Sequence, residues 1–286
     1  MFFCFVSCAF SQEDDTNSAL RILNDPLRAT QDREHALNQL VSARYSELPS
    51  VLLSLFKNAK EPIVLRRSVG NAMTQLNSIE IRMELNNLVF HGSGADSFAR
   101  EEGLALLVKI SNDKEKEKLF SDFVYLAQES NEPGELRKAA IGYASNAKFV
   151  PEKNEDWAKK IVSNKREATQ VRTSALNYME VNQAQELDPL LPQIILDATE
   201  NSDFRQIAIL KGARMPSNAF SLTLQSIIAN KKEELKIRKL SLSALLGYAP
   251  HENPLPFLKQ VLATENDLIM RRELEEAVGQ LEQPEK

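Results

Sequence analysis

Cysteine is scarce in this chain and is confined to one end of it. The 286 residues include two cysteines, Cys4 and Cys8, and both lie in an apolar run over residues 1–10. The run leads into an Ala-Phe-Ser tripeptide at residues 9–11, which fits the small-x-small cleavage pattern of a secretory signal peptide. A mature chain that begins at Gln12 would contain no cysteine. That would exclude disulfides, thiolate metal sites and a cysteine nucleophile.

The same apolar run bears on localisation. We expect residues 1–11 to be a signal peptide and the protein to be exported to a periplasm or secreted. The run is short and has no positive n-region, which leaves room for a true start codon upstream. A lipoprotein signal at Val6-Ser7-Cys8, with a lipid on Cys8, is a weaker alternative because Phe5 stands where such motifs prefer leucine. A cytoplasmic protein with no targeting segment is the remaining alternative. The run is too short to span a membrane, which needs about 20 apolar residues.

Histidine is also scarce, and acidic residues outnumber basic ones by 40 to 35. The three histidines, His35, His91 and His251, are more than fifty residues apart and show no paired ligand spacing. Catalytic zinc needs three clustered protein ligands, so we predict no metal, no cofactor and no catalytic residue. A net charge of −5 and a pI near 5.5 argue against a nucleic-acid partner, whose binding surface is usually basic.

Glycine and proline are few as well, with nine and twelve residues, which favours long helices. What the chain does have is a short pattern that returns eight times, an apolar residue followed by arginine and then by small and apolar residues at helical spacing. The eight arginines are Arg33, Arg66, Arg100, Arg137, Arg172, Arg205, Arg238 and Arg271. Successive arginines are 33 to 37 residues apart, which is typical of a helical repeat protein.

The positions around each arginine fall into classes. The preceding residue is apolar in seven of the eight copies, and the third residue after the arginine is mostly small. Together they predict an amphipathic helix whose small residues let neighbouring helices approach closely. The first copy has Asp32 before its arginine and the last has Glu275 after it, as expected for more polar terminal repeats.

An acidic residue stands four or five positions before most of these arginines. The acids are Glu61, Asp96, Glu132, Glu167, Glu200, Glu233 and Asp267. Each favours the start of its helix through the helix dipole and is placed to accept from the arginine of an adjacent repeat. We therefore predict a structural ladder formed by Arg66, Arg100, Arg137, Arg172, Arg205, Arg238 and Arg271. Anion binding by these arginines is the alternative.

The pattern resembles HEAT repeats, in particular the short HEAT-like type, over about residues 16–281. Val171-Arg172 is the nearest match to the Val-Arg pair of that family, and Leu136-Arg137 and Ile237-Arg238 are similar. The resemblance implies an all-α fold, a right-handed α-solenoid of about eight antiparallel helix pairs. We expect one solenoid domain over residues 12–281 and a polar tail over residues 282–286.

In the HEAT-like family the arginine-bearing helices line a concave face that more often binds than catalyses. The resemblance therefore implies a non-enzymatic scaffold that recognises a protein or peptide on that face. Candidate contact residues beside the core stripe are Arg67, Asn71, Lys138, Thr173, Gln206 and Arg272. Two alternatives stay open, a HEAT-like enzyme of the lyase or glycosylase type and a self-assembling structural protein.

Overall fold

A computed structural model describes residues 15–92, 95–145, 156–215, 217–247 and 253–282. Over these ranges every regular element is a helix, and there are 16 helices. The predicted all-α helical-repeat class is confirmed. The predicted signal peptide, including Cys8, lies outside the described residues, as does the predicted tail beyond residue 282. In the described part of the chain, no helix is long and apolar enough to cross a membrane.

The chain divides into two compact units, residues 1–152 and residues 153–286. The helices of the first unit are α1 (15–24), α2 (Thr30–Ser42), α3 (Leu48–Lys57), α4 (Ile63–Leu76), α5 (Ile79–His91), α6 (Ser97–Ile110), α7 (Asp113–Gln128) and α8 (Gly134–Ala144). Those of the second unit are α9 (Trp157–Ser163), α10 (Thr169–Asn182), α11 (Ala184–Leu196), α12 (Ser202–Gly212), α13 (Asn218–Ala229), α14 (Leu235–Gly247), α15 (Leu255–Thr264) and α16 (Leu268–Glu282).

Within each unit the helices form two layers. The even-numbered helices carry the repeated arginines, and each packs against the next even-numbered helix of its unit. We call them the arginine layer, and we call the odd-numbered helices the second layer. From α3 onward, each odd-numbered helix packs against the even-numbered helix that follows it. Helices α5 and α7 of the second layer approach each other less closely than α3 and α5 do, which leaves space between them.

The repeat pattern accounts for the core of both units. Leu65, Leu136, Val171 and Phe204, each directly before an arginine, are buried. The small residues three positions after the arginines are buried where the even-numbered helices stack; they include Ala36, Ala140, Ala175, Ala208 and Ser241. Small side chains at these positions let the helix backbones come close, so burial follows the predicted period. The polar exceptions in the first and last copies, Asp32 and Glu275, are exposed.

Candidate functional site

Seven of the eight repeated arginines are buried, and Arg271 is the exception. The geometry is clearest at Arg205, whose Nε donates to the carbonyl of Ile195 at 2.9 Å, near the end of α11. Its Nη1 and Nη2 donate to the two carboxylate oxygens of Glu233 at 2.8 and 2.6 Å. Arg205 thereby satisfies a carbonyl in the last turn of one helix and binds the turn that precedes the next arginine helix.

The same arrangement recurs along both units. The ion pairs are Arg33–Glu61, Arg66–Asp96, Arg100–Glu132, Arg172–Glu200, Arg205–Glu233 and Arg238–Glu265, with the acid 27 to 32 residues after the arginine. The Nε atoms donate to carbonyls at the ends of the preceding helices, including Leu23, Phe56, Val89, Ala127, Val162 and Ile228. The planar fork of the guanidinium matches the two oxygens of a carboxylate, a geometry that the compact ammonium group of lysine does not offer.

These contacts shift the pKa values of the carboxyl groups. Hydrogen bonds from Arg172 and Arg205 lower the pKa of Glu200 and of Glu233, against the opposing effect of burial. Burial alone would raise the pKa of Asp96 and of Glu265. Hydrogen bonds from Arg66 and Arg238 and from backbone N–H groups outweigh it, so both pKa values are lowered. All four carboxyl groups are therefore held in the charged form.

Three details differ from the predicted ladder. Arg33 belongs to the set, although the predicted ladder began at Arg66, and its spacing to Glu61 was the available signal. Arg271 is half exposed and bonds Glu275 of its own helix at 3.1 Å. Asp267 caps α16 by accepting from two backbone N–H groups, and Glu265 receives Arg238 instead.

The six residues predicted to bind a partner are spread over both units. Arg67 pairs with Glu102 at 3.2 Å and lies over the ring of Phe98. Lys138 bonds Glu135, and Asn71 is exposed. In the second unit, Thr173 and Gln206 bond backbone carbonyls one turn earlier, and the exposed Arg272 pairs with Glu276. None of the six lines any of the three cavities described below.

A groove of about 590 Å³ lies between α5 and α7 in the first unit. Leu107 and Leu119, both buried, contribute its apolar lining. Ile79 and Met83 form part of the α5 side, one helical turn apart, and their side chains are 68% and 63% exposed. Together with Leu107 and Leu119 they give the groove an apolar stretch, and contiguous apolar surface can mark an interaction site.

Charged groups rim this groove in two arrangements. Arg82 on α5 reaches Glu115 on α7 at 3.7 Å, and the other oxygen of Glu115 accepts from the backbone N–H of Asn112 at 2.8 Å. Lys118 and Asp122 lie one turn apart on α7, and among the described residues neither side chain forms a hydrogen bond or a close ion pair. Withdrawal from solvent raises the pKa of Asp122, and the nearby His91 opposes that effect.

Two further cavities lie elsewhere. One of about 830 Å³ lies against α1 and α2 and is lined mostly by polar residues, including Asp15, His35 and Gln39. Another, of about 500 Å³, lies near Asp188 and Met215 in the second unit. Within the described ranges no group of three or more His, Cys, Asp or Glu side chains is placed to hold a metal ion. The groove between α5 and α7 is therefore the best-formed candidate site.

Comparison with known proteins gives a likeness in structure alone. No family model matches the chain, and no curated protein matches it. A solved enzyme structure does. It is human deoxyhypusine hydroxylase in complex with glycerol, at 15% identity over 96% of this chain and 98% of that one, with a TM-score of 0.37. At this identity and TM-score, no activity and no residue role passes from that protein to this chain.

The likeness nevertheless corrects the sequence-based prediction of function. A non-enzymatic scaffold was expected because HEAT-like repeats more often bind than catalyse. That expectation is contradicted, and so is the prediction that the chain is not an enzyme, because the matched all-helical protein is an enzyme. That enzyme is a hydroxylase by name, so it is of neither the lyase nor the glycosylase type. The physical reason is that helical repeats fix an architecture and leave chemistry to individual side chains, so the fold cannot exclude catalysis.

Proposed function

We propose that the first unit binds an amphipathic helical segment of another polypeptide in the groove between α5 and α7. The observation that carries the proposal is the pair of exposed side chains, Ile79 and Met83, beside the buried Leu107 and Leu119. A helix that lays its apolar face into such a groove is a recurrent mode of peptide recognition. Met83 suits this role because its flexible, polarisable side chain adapts to a partner surface.

Burial of these side chains would supply a modest driving force. Covering the exposed parts of Ile79 and Met83 would contribute roughly 1–2 kcal/mol each, before the cost of ordering the partner. The volume of about 590 Å³ is typical of ligand sites, which span roughly 300–1,000 Å³. Two anchors and a polar rim support a moderate affinity, with Kd of about 1–100 µM.

The proposed partner is still a protein or peptide, but the proposed binding surface is the groove between α5 and α7 instead of the arginine layer. The arginine-layer residues first proposed for binding mostly bond groups of the same chain, as Arg67 does with Glu102 and Lys138 with Glu135. The α5–α7 groove instead presents apolar groups that no described residue covers. Peptide binding there is compatible with catalysis elsewhere on the chain.

The test uses a fluorescent amphipathic helix of about 15 residues, with leucines at i, i+3, i+4 and i+7, titrated with the full chain. We expect saturable binding by anisotropy, and a loss of at least about tenfold in affinity for Met83→Glu, which places a charge among the apolar groups. The control variant is Leu222→Glu, because Leu222 on α13 is similarly exposed, at 64%, and lies outside the groove.

A second control is a peptide of the same composition with its leucines scrambled. Equal binding of the two peptides, or equal affinity for the native chain and Met83→Glu, would contradict the proposal. Circular dichroism of both variants shows whether they fold like the native chain.

A further inference from the structure

The α7 side of the groove carries a cation, Lys118, and an anion, Asp122, that form no hydrogen bond or close ion pair within the described residues. Of the four charged groups that line the groove, Arg82 and Glu115 face each other at 3.7 Å. Lys118 and Asp122 are spaced i, i+4 on α7, yet no ion pair forms between them. A basic residue N-terminal to an acidic one is the less favourable order for such a pair within a helix. Both groups are thus left for an outside partner.

We propose that the groove selects its helical partner by charge order, an inference that rests on the proposed function. The partner would carry an acidic residue that faces Lys118 and a basic residue that faces Asp122. These two residues would flank its apolar anchors and lie one helical turn apart. Residues at i and i+4 are separated by about 6 Å along a helix axis, so a second helix lying alongside α7 matches both groups in one register.

In this proposal the apolar anchors fix the direction of the bound helix, and charge order then decides which helices fit in that direction. If the partner runs parallel to α7, its acidic residue comes before its basic residue, and if it runs antiparallel the order is reversed. The wrong order would place like charges together at both positions. Charges at the rim of an interface contribute mainly to such discrimination and less to total affinity, which comes from the apolar anchors.

The experiment compares two probe helices of the same composition and the same apolar face. One has Glu at i and Lys at i+4 beside the anchors, and the other has Lys at i and Glu at i+4. We expect the native chain to prefer one of them by about three- to tenfold at low ionic strength, as two exposed ion pairs would give. The double exchange Lys118→Asp with Asp122→Lys should reverse that preference.

The neutral double variant, Lys118→Gln with Asp122→Asn, should bind both probes with equal affinity. A matched exchange elsewhere, Arg271→Glu with Glu275→Arg, should leave the native preference unchanged, because this exposed i, i+4 pair lies on α16.

The outcomes separate the two proposals. If neither probe binds the native chain, peptide binding in the groove fails. If both probes bind with equal affinity and Met83→Glu weakens both, peptide binding stands and charge-order selection is wrong. A folded charge-exchange variant that keeps the native preference would also overturn it. If that variant does not fold, Lys118→Gln alone must reduce the preference.

Discussion

At the scale of single residues, the guanidinium groups of the arginine layer determine how neighbouring repeats are joined. Arg205 is 2% exposed and makes three bonds, one to a helix-end carbonyl and two to Glu233. A buried ion pair adds little net stability compared with an apolar replacement of both partners. Its effect is therefore to fix the register between repeats, since an acid displaced by one residue would leave both charges buried and unpaired.

Arg205→Ala should destabilise the second unit by about 3 kcal/mol, because it leaves Glu233 as an uncompensated, mostly buried carboxylate and removes the bond to the carbonyl of Ile195. The control is Arg271→Ala, which removes a half-exposed pair and should cost less than about 0.5 kcal/mol. Urea unfolding followed by fluorescence measures both variants, since Trp157, the one tryptophan of the chain, is buried in the second unit. Equal midpoints for the two variants would contradict the structural role of Arg205.

At the scale of elements, the start of α7 sets one side of the groove. The side chain of Asn112 accepts from the backbone N–H of Glu115 at 3.1 Å, and the carboxylate of Glu115 accepts from the backbone N–H of Asn112. This capping box satisfies two donors that the first turn of a helix leaves free. Since Glu115 also meets Arg82 of α5, the cap and the cross-groove contact share one side chain.

Asn112→Ala should cost the first unit about 1 kcal/mol, the usual loss on removing a helix cap. Lys114→Ala, an exposed position in the first turn of the same helix, should change stability by less than about 0.5 kcal/mol. Far-UV circular dichroism is the appropriate measurement, because Trp157 reports on the other unit. If Lys114→Ala lowered the stability as much as Asn112→Ala, the result would argue against a stabilising cap at Asn112.

At the scale of the whole molecule, the ladder makes stability depend on pH. Asp96, Glu200, Glu233 and Glu265 have lowered pKa values in the folded chain, chiefly because arginines bond their charged forms. A carboxyl group whose folded pKa is depressed stabilises the fold fully above its unfolded pKa, about 4. That contribution is lost as the pH falls through the folded value. Three of these four groups lie in the second unit.

Acidification from about pH 5 to about pH 3 should therefore lower the urea midpoint of the second unit progressively. The Glu233→Gln variant should be less stable at neutral pH. Its urea midpoint should also depend less steeply on pH, because one of the groups that take up protons is gone. The midpoint is read from Trp157 fluorescence at each pH. A native chain whose midpoint stays constant over this range would contradict a stabilising role for the ladder carboxylates.

The amino-acid sequence by itself determined the all-α repeat class and the burial of the positions around each arginine. Both follow from a local period, in which the residue before Arg172 and the one three positions after it must face the core whenever the segment is helical. The sequence also placed acids near the turns, because the spacing of about one repeat is visible in the chain.

Only the tertiary structure decided which acidic residue pairs with which arginine and where a site can form. Glu265 and Asp267 are two residues apart and equally plausible in sequence, but Glu265 pairs with Arg238 and Asp267 caps α16. Ile79 and Met83 read as ordinary members of an apolar helix face. Their exposure depends on which face of α5 the neighbouring helices cover, and no local pattern encodes that.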